Sequence, residues 1–163
     1  MEHTDQPLSG MPEEFRKARD KALYYLQFSG KTENEMRKKL AEQGFSPASV
    51  DDAVSFLRKY RYLNDEDYAY RYLEKNGKKK SRKQIIFELQ RKGIDRETIQ
   101  TVMEEVPVDE EAQILDLLKK KGFSGGEADR AEQQKISAYL ARKGFSYEVI
   151  SSALIHYARK DTE

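Results

Sequence analysis

The sequence predicts an all-α protein made of three tandem three-helix repeats, and three observations carry that expectation. First, the stretch Ser81 to Val106, SRKQIIFELQRKGIDRETIQTVMEEV, has a close relative upstream and another downstream. Second, the glycine near the middle of each copy, Gly44, Gly93 and Gly144, recurs at intervals of 49 and 51 residues. Third, the apolar residues after each glycine fall at i, i+3, i+4 and i+7: Val50, Ala53, Val54 and Leu57; Ile99, Val102, Met103 and Val106; Ile150, Ala153, Leu154 and Tyr157. That spacing puts them on one face of a 3.6-residue helix. No stretch shows the period-two alternation of a half-buried strand, so a repeat of helical units is expected.

Each copy reads as helix, tight turn, helix, and a preceding helix completes a unit. Residues 1–12 are polar, hold two prolines and a glycine and lack periodicity, so they read as a mobile N-terminal tail. The first repeat, 13–62, opens with a helix carrying Ala18, Ala22, Leu23 and Leu26 and stopped by Ser29-Gly30. Thr32 to Glu35 then has the form of a capping box, Met36 and Leu40 make an apolar pair, and Gly44 suits a left-handed stop. Ser46 caps a further helix that Pro47 opens.

The second repeat, 63–107, begins at Asn64-Asp65, which can cap a helix with Tyr68, Ala69, Tyr72 and Leu73 on one side. The turn Asn76 to Lys80 follows, then Ser81 to Gln84 as a second capping box, Ile85 and Leu89 as the pair, Gly93 as the stop, and Asp95 as the next cap. Pro107 marks its end. The third repeat, 108–160, starts from Asp109 with a helix bearing Ala112, Leu115 and Leu118 and ending at Gly122. Phe123 to Glu127, with two glycines, is expected to be the most mobile connection. Helices near 129–142 and 147–159 complete it. The expected core positions are Leu40, Val50 and Val54, then Leu89, Ile99 and Met103, then Leu140, Ile150 and Leu154. With 37% hydrophobic and 36% charged residues, each unit has a thin core, so neighbours are expected to share apolar surface.

Catalytic chemistry finds little support. There is no cysteine, so no disulfide framework or thiolate metal site. His3 and His156 are far apart and neither sits in a metal-ligand spacing, so no metal or cofactor is expected. Gly77-Lys-Lys-Lys-Ser81 has the ingredients of a phosphate loop but lacks its preceding glycine and strand. Adjacent acids such as Asp51-Asp52 and Glu104-Glu105 point about 100° apart on a helix and do not converge. An enzyme is not expected. Nor is a membrane span or a secretory leader, since there is no long apolar run and no apolar segment near the N-terminus, and a cytoplasmic location is expected.

The net charge of +1 hides an uneven distribution. Between residues 71 and 92 lie nine cations, Arg71, Lys75, Lys78, Lys79, Lys80, Arg82, Lys83, Arg91 and Lys92, against Glu74 and Glu88. From Glu104 to Asp116 there are six acids and no base. Binding of a polyanion responds to the local field, so the near-neutral total does not argue against one. Cations crowd the start of the helix after Ser81, where backbone N–H groups already favour an anion, and a phosphate there would offset them. The same run also reads as a solvated turn.

Tyr60, Tyr62, Tyr68, Tyr70 and Tyr72 interleave with Arg58, Lys59, Arg61 and Arg71, a mixture able to stack on bases while pairing with phosphates. Tyr68 and Tyr72, at i and i+4, read as packing; Tyr62 and Tyr70 are the candidates for exposed, base-stacking rings. A helix-turn-helix reading of duplex DNA is disfavoured, because the third helix of the middle repeat carries Asp95, Glu97, Glu104 and Glu105 against Arg96.

Three runs resemble the bacterial RecX family, regulators of the recombinase RecA: Tyr62-Leu-Asn-Asp-Glu-Asp-Tyr-Ala69, Leu89-Gln-Arg-Lys-Gly-Ile-Asp95, and Lys135-Ile-Ser-Ala-Tyr-Leu-Ala-Arg-Lys-Gly-Phe145. The resemblance extends from about residue 14 to 158. It implies an elongated, curved array of three three-helix repeats that binds the groove of the RecA–single-stranded DNA filament. It implies inhibition of strand exchange, ATPase and co-protease activities, and restraint of homologous recombination, DNA repair and the SOS response. It also implies direct binding of DNA, with single-stranded DNA as the expected partner and double-stranded DNA as a further candidate, by a non-enzymatic monomer without a cofactor. The family has no compact catalytic motif to transfer, so the cations of 71–92 remain a surface expectation. Two other classes stand beside it: a DNA-binding module independent of RecA, with steeply salt-dependent affinity, and a helical-repeat adaptor for another protein, with none.

Overall fold

The computed structural model describes residues 11–162, with side chains through Arg159. Residues 1–10 of the expected tail lie outside the described residues, and Pro12 serves as the N-cap of the first helix. In chain order the helices are α1 (Glu13–Leu26), α2 (Glu33–Glu42), α3 (Pro47–Lys59), α4 (Asp65–Asn76), α5 (Arg82–Arg91), α6 (Arg96–Glu105), α7 (Glu110–Lys121), α8 (Arg130–Arg142) and α9 (Tyr147–Thr162). A short 3-10 turn, Gly125–Glu127, sits between α7 and α8, and no strand occurs among the described residues. The all-α architecture of three successive three-helix domains is the one the repeat predicts.

Short polar side chains set the helix starts. The Thr32 hydroxyl accepts the Glu35 N–H while the Glu35 carboxylate accepts the Thr32 N–H, a complete capping box. Asn64, Asp95, Asp109 and Asp129 each accept an N–H from the residue three further on. The stops at Gly44, Gly93 and Gly144 have φ of +91°, +88° and +101°. Arg61 closes α3 in the same left-handed region, φ +60°, with the Tyr62 N–H donating to Leu57 O at 2.8 Å.

The chain forms two compact units, which divide the middle triplet. One holds the chain through Ala69 together with Gln90–Ile99; the other holds Tyr70–Leu89 together with Gln100 onward. The core of the first is built on Ala18, Ala22, Met36, Leu40, Val50, Ala53, Val54, Leu57 and Leu63. That of the second is built on Ile114, Leu118, Phe123, Ile136, Leu140, Phe145, Ile150 and Ala153. Each large aliphatic side chain so buried contributes roughly 1.5–3 kcal/mol. From the middle triplet, Ala69, Ile94 and Ile99 are buried in the first unit, and Leu73, Ile85, Leu89, Val102 and Met103 in the second.

Two details differ from expectation. Leu154 is only partly buried and packs at the margin of the second core. The connection from Phe123 to Glu127 is an anchored segment: Phe123 is 8% exposed, and its carbonyl accepts the Tyr157 hydroxyl at 3.3 Å. The glycines suggest freedom, but the phenylalanine between them and α7 has apolar surface to bury, and burial prevails.

One joint occurs twice, once inside each unit. In the first, the Thr32 hydroxyl donates to Lys92 O at 2.6 Å, the Glu33 N–H donates to the Asp65 carboxylate at 2.9 Å, and Asn34 lies against Gly93. In the second, the Ser81 hydroxyl donates to Lys143 O at 3.0 Å, the Arg82 N–H donates to the Glu110 carboxylate at 2.9 Å, and Ser81 lies against Gly144. The start of one triplet's second helix thus docks on the next triplet's glycine turn and on the first residue of its first helix. Thr32 and Ser81 are 0% and 1% exposed, with their hydroxyls both donating and accepting.

Candidate nucleic-acid interface

The basic turn is rigidly held. The Gly77 N–H donates to Leu73 O at 2.7 Å, and the N–H groups of Lys79 and Lys80 both reach Asn76 O. From α7, the buried Gln113 amide donates to Gly77 O at 2.8 Å and to Lys80 O at 3.0 Å. Lys78 and Lys79 therefore extend from an anchored backbone.

The nine cations have different fates. Arg71, Lys75, Lys78, Lys79 and Lys83 are exposed and without a carboxylate partner among the described residues. Lys80 is half-buried, 2.6 Å from the Glu88 carboxylate and 3.0 Å from the Tyr72 hydroxyl. Lys92 lies 3.3 Å from Glu35 and over the Tyr68 ring; burial works to lower its pKa, and Tyr68 and Glu35 together outweigh it and raise it. Arg82 is half-buried and Arg91 exposed. Residues 71–83 belong to the second unit, Arg91 and Lys92 to the first.

The phosphate expected at the start of α5 meets a different arrangement. There the Glu110 carboxylate already accepts the Arg82 N–H, so the anion that complements the helix end comes from α7.

The aromatics also separate. Tyr62 is 57% exposed, as is Tyr60, and the two flank the left-handed Arg61, whose guanidinium reaches Asp67 at 3.3 Å. Tyr70 is half-buried and so is less open than expected. Tyr68 and Tyr72 are half-buried as well, each beneath a lysine, Lys92 at 5.7 Å and Lys80 at 5.3 Å from the ring centroid. Among the described residues no group of three or more His, Asp or Glu side chains is placed to hold a metal, and no helix is long and apolar enough to cross a membrane.

A second basic site was not singled out from the sequence. In the second unit, Lys121, Phe123, Glu132, Lys135, Ile136, Tyr139 and Arg142 line a cleft of about 300 Å³. Lys121 Nζ lies 4.1 Å and Lys143 Nζ 5.3 Å from the Tyr139 ring centroid. Glu132 is engaged with the Ser124 N–H at 2.9 Å, and Lys121, Lys135 and Arg142 have no carboxylate partner among the described residues. The signal was the i, i+4, i+7 spacing of Lys135, Tyr139 and Arg142, which lines them up along α8.

Comparison with known proteins follows the same threefold division. The first three-helix domain of RecX matches residues 18–57, the second 64–103 and the third 109–154. Regulatory protein RecX of Clostridium perfringens is 31% identical over 144 residues, covering 86% of this chain and 68% of that protein. The regulatory protein RecX of Caldanaerobacter subterraneus is 33% identical over 144 residues, covering 86% and 71%. The crystal structure of RecX from Lactobacillus salivarius shares the fold, with a TM-score of 0.79 at 24% identity, over 92% of this chain and 99% of that one. A second crystal structure, of a regulatory protein RecX, has a TM-score of 0.74 at 26% identity, over 85% and 70%. With all three domains matched in order and relatives of this identity along most of its length, the chain belongs to the RecX family of regulatory proteins.

Proposed function

We propose that this chain regulates a RecA-type recombinase in the cytoplasm by binding its filament on single-stranded DNA. Binding there inhibits strand exchange, ATP hydrolysis and co-protease activity, and so restrains recombinational repair and the SOS response. Membership in a family of regulatory proteins named RecX carries the reading. The local chemistry supports it: exposed Arg71, Lys75, Lys78, Lys79 and Lys83 have no carboxylate partner among the described residues. A filament offers a repeating row of phosphates and protein surface, and several modest contacts along it act at high effective concentration. Contact across adjacent recombinase protomers then hinders the rearrangement that accompanies ATP turnover.

The test is charge reversal of the four exposed lysines only, K75E, K78E, K79E and K83E, leaving Arg71 and the Lys80–Glu88 pair in place. Inhibition of recombinase ATPase on single-stranded DNA at moderate salt should then need about 10-fold more protein, and its salt dependence should flatten, at about 0.7 in log–log slope per lost phosphate contact. Undiminished inhibition by the folded variant discards these cations as the filament contact. Loss of free-DNA binding with inhibition intact favours a DNA contact separate from regulation.

A further inference from the structure

We infer that the cleft between the end of α7 and α8 is a second nucleic-acid site, holding one unpaired nucleotide with its base against Tyr139 and its phosphates on Lys121, Lys135 and Arg142. It rests on the proposed reading in taking single-stranded DNA as the polyanion.

Four features of the cleft select this ligand. Its three cations lack carboxylate partners among the described residues, and Glu132, the acid in its lining, is occupied by the Ser124 N–H, so the site presents an excess of positive charge. Tyr139 supplies a ring face already populated by cations, Lys121 at 4.1 Å and Lys143 at 5.3 Å, which a phosphate can draw off to leave the face for a base. Phe123 and Ile136 give an apolar lining. A volume of about 300 Å³ is at the small end of ligand sites, enough for a splayed-out nucleotide and too small for a duplex. The larger cleft of about 570 Å³ in the same unit is lined by Glu74, Asp109 and Asp116 against Lys78 and would repel the same ligand.

The experiment uses the full chain, without recombinase, and two labelled probes in fluorescence anisotropy: an oligothymidylate of about 20 residues and an abasic strand of equal length. Wild type should bind the thymidylate roughly 10-fold or more tightly than the abasic strand. Y139L should lose that preference and Y139F keep it. K135E/R142E should weaken both probes and flatten the log–log salt slope by roughly 1.4, at about 0.7 per contact. A wild-type protein indifferent to the presence of bases overturns the proposal, and that arm needs no variant to fold. An unchanged preference in Y139L, or an unchanged salt slope in K135E/R142E, overturns it too. Because recombinase is absent, failure here leaves filament inhibition by the basic turn standing, and failure there leaves this site standing.

Discussion

Single positions show where general helix chemistry ends and specific fit begins. The three turn glycines all have positive φ, yet an added Cβ finds open space at Gly44, meets Asn34 at Gly93, and comes 2.5 Å from Ser81 Oγ at Gly144. Gly44→Ala should cost only the left-handed penalty of about 1–2 kcal/mol. Gly93→Ala and Gly144→Ala should lose a further 1–3 kcal/mol or so through overpacking in the joint. Urea denaturation of the three variants ranks them, and equal losses would remove the joint as a close-packed feature.

Asp65 is a second such position. Burial raises its carboxyl above the ordinary value; the Glu33 N–H opposes this, and the Glu33 and Asp95 carboxylates add to it. A raised acid contributes stability that is full below the unfolded-state pKa, about 3.9, and lost as pH climbs through the folded one. At neutral pH the ionised Asp65 is therefore a cost. Asp65→Asn keeps an oxygen for the Glu33 N–H and should raise Tm by about 1–3 °C at pH 7, with the gain vanishing near pH 4. A gain independent of pH would exclude charge burial as the cause.

At the scale of helices, the three equivalent N-caps are Thr32, Ser81 and Asp129. The first two are buried in joints, and the third is exposed at the start of α8. A hydroxyl can donate forward to a carbonyl while accepting from its own helix; a carboxylate can only accept, which suits the exposed, solvated start of α8. Ser81→Ala removes the buried hydroxyl that serves both the Gln84 N–H and the Lys143 carbonyl and should cost about 1–3 kcal/mol, with Thr32→Ala similar. Asp129→Ala removes a solvated cap and should cost about 1 kcal/mol. Thermal melts that place Asp129→Ala at or above Ser81→Ala would contradict this assignment. The carboxylate at the start of each first helix follows the same logic. Asp65 and Glu110 accept N–H groups in the joints, whereas Glu14, four residues before Ala18 as they are before Ala69 and Ile114, accepts the Ser46 N–H of its own triplet, which lowers its pKa.

For the whole molecule, helix number, starts, stops and most buried faces could be read from the chain because they rest on interactions spanning three to seven residues. Capping boxes, left-handed glycines and i, i+3, i+4, i+7 faces are local, and the threefold recurrence repeats each of them. The candidate interface was less legible. Charge run alone groups Lys80 and Lys92 with Lys78 and Lys79, but Glu88 and Glu35 pair with those two in the fold, and Glu110 takes the Arg82 backbone N–H in place of the expected phosphate. Likewise Lys121 joins Lys135, Tyr139 and Arg142 in one cleft only once α7 and α8 pack around Phe123. The bonds that make the joints link residues 28 to 62 positions apart. No periodicity encodes which distant carbonyl or carboxylate a buried hydroxyl or amide will find, because that choice is made by packing after the helices exist.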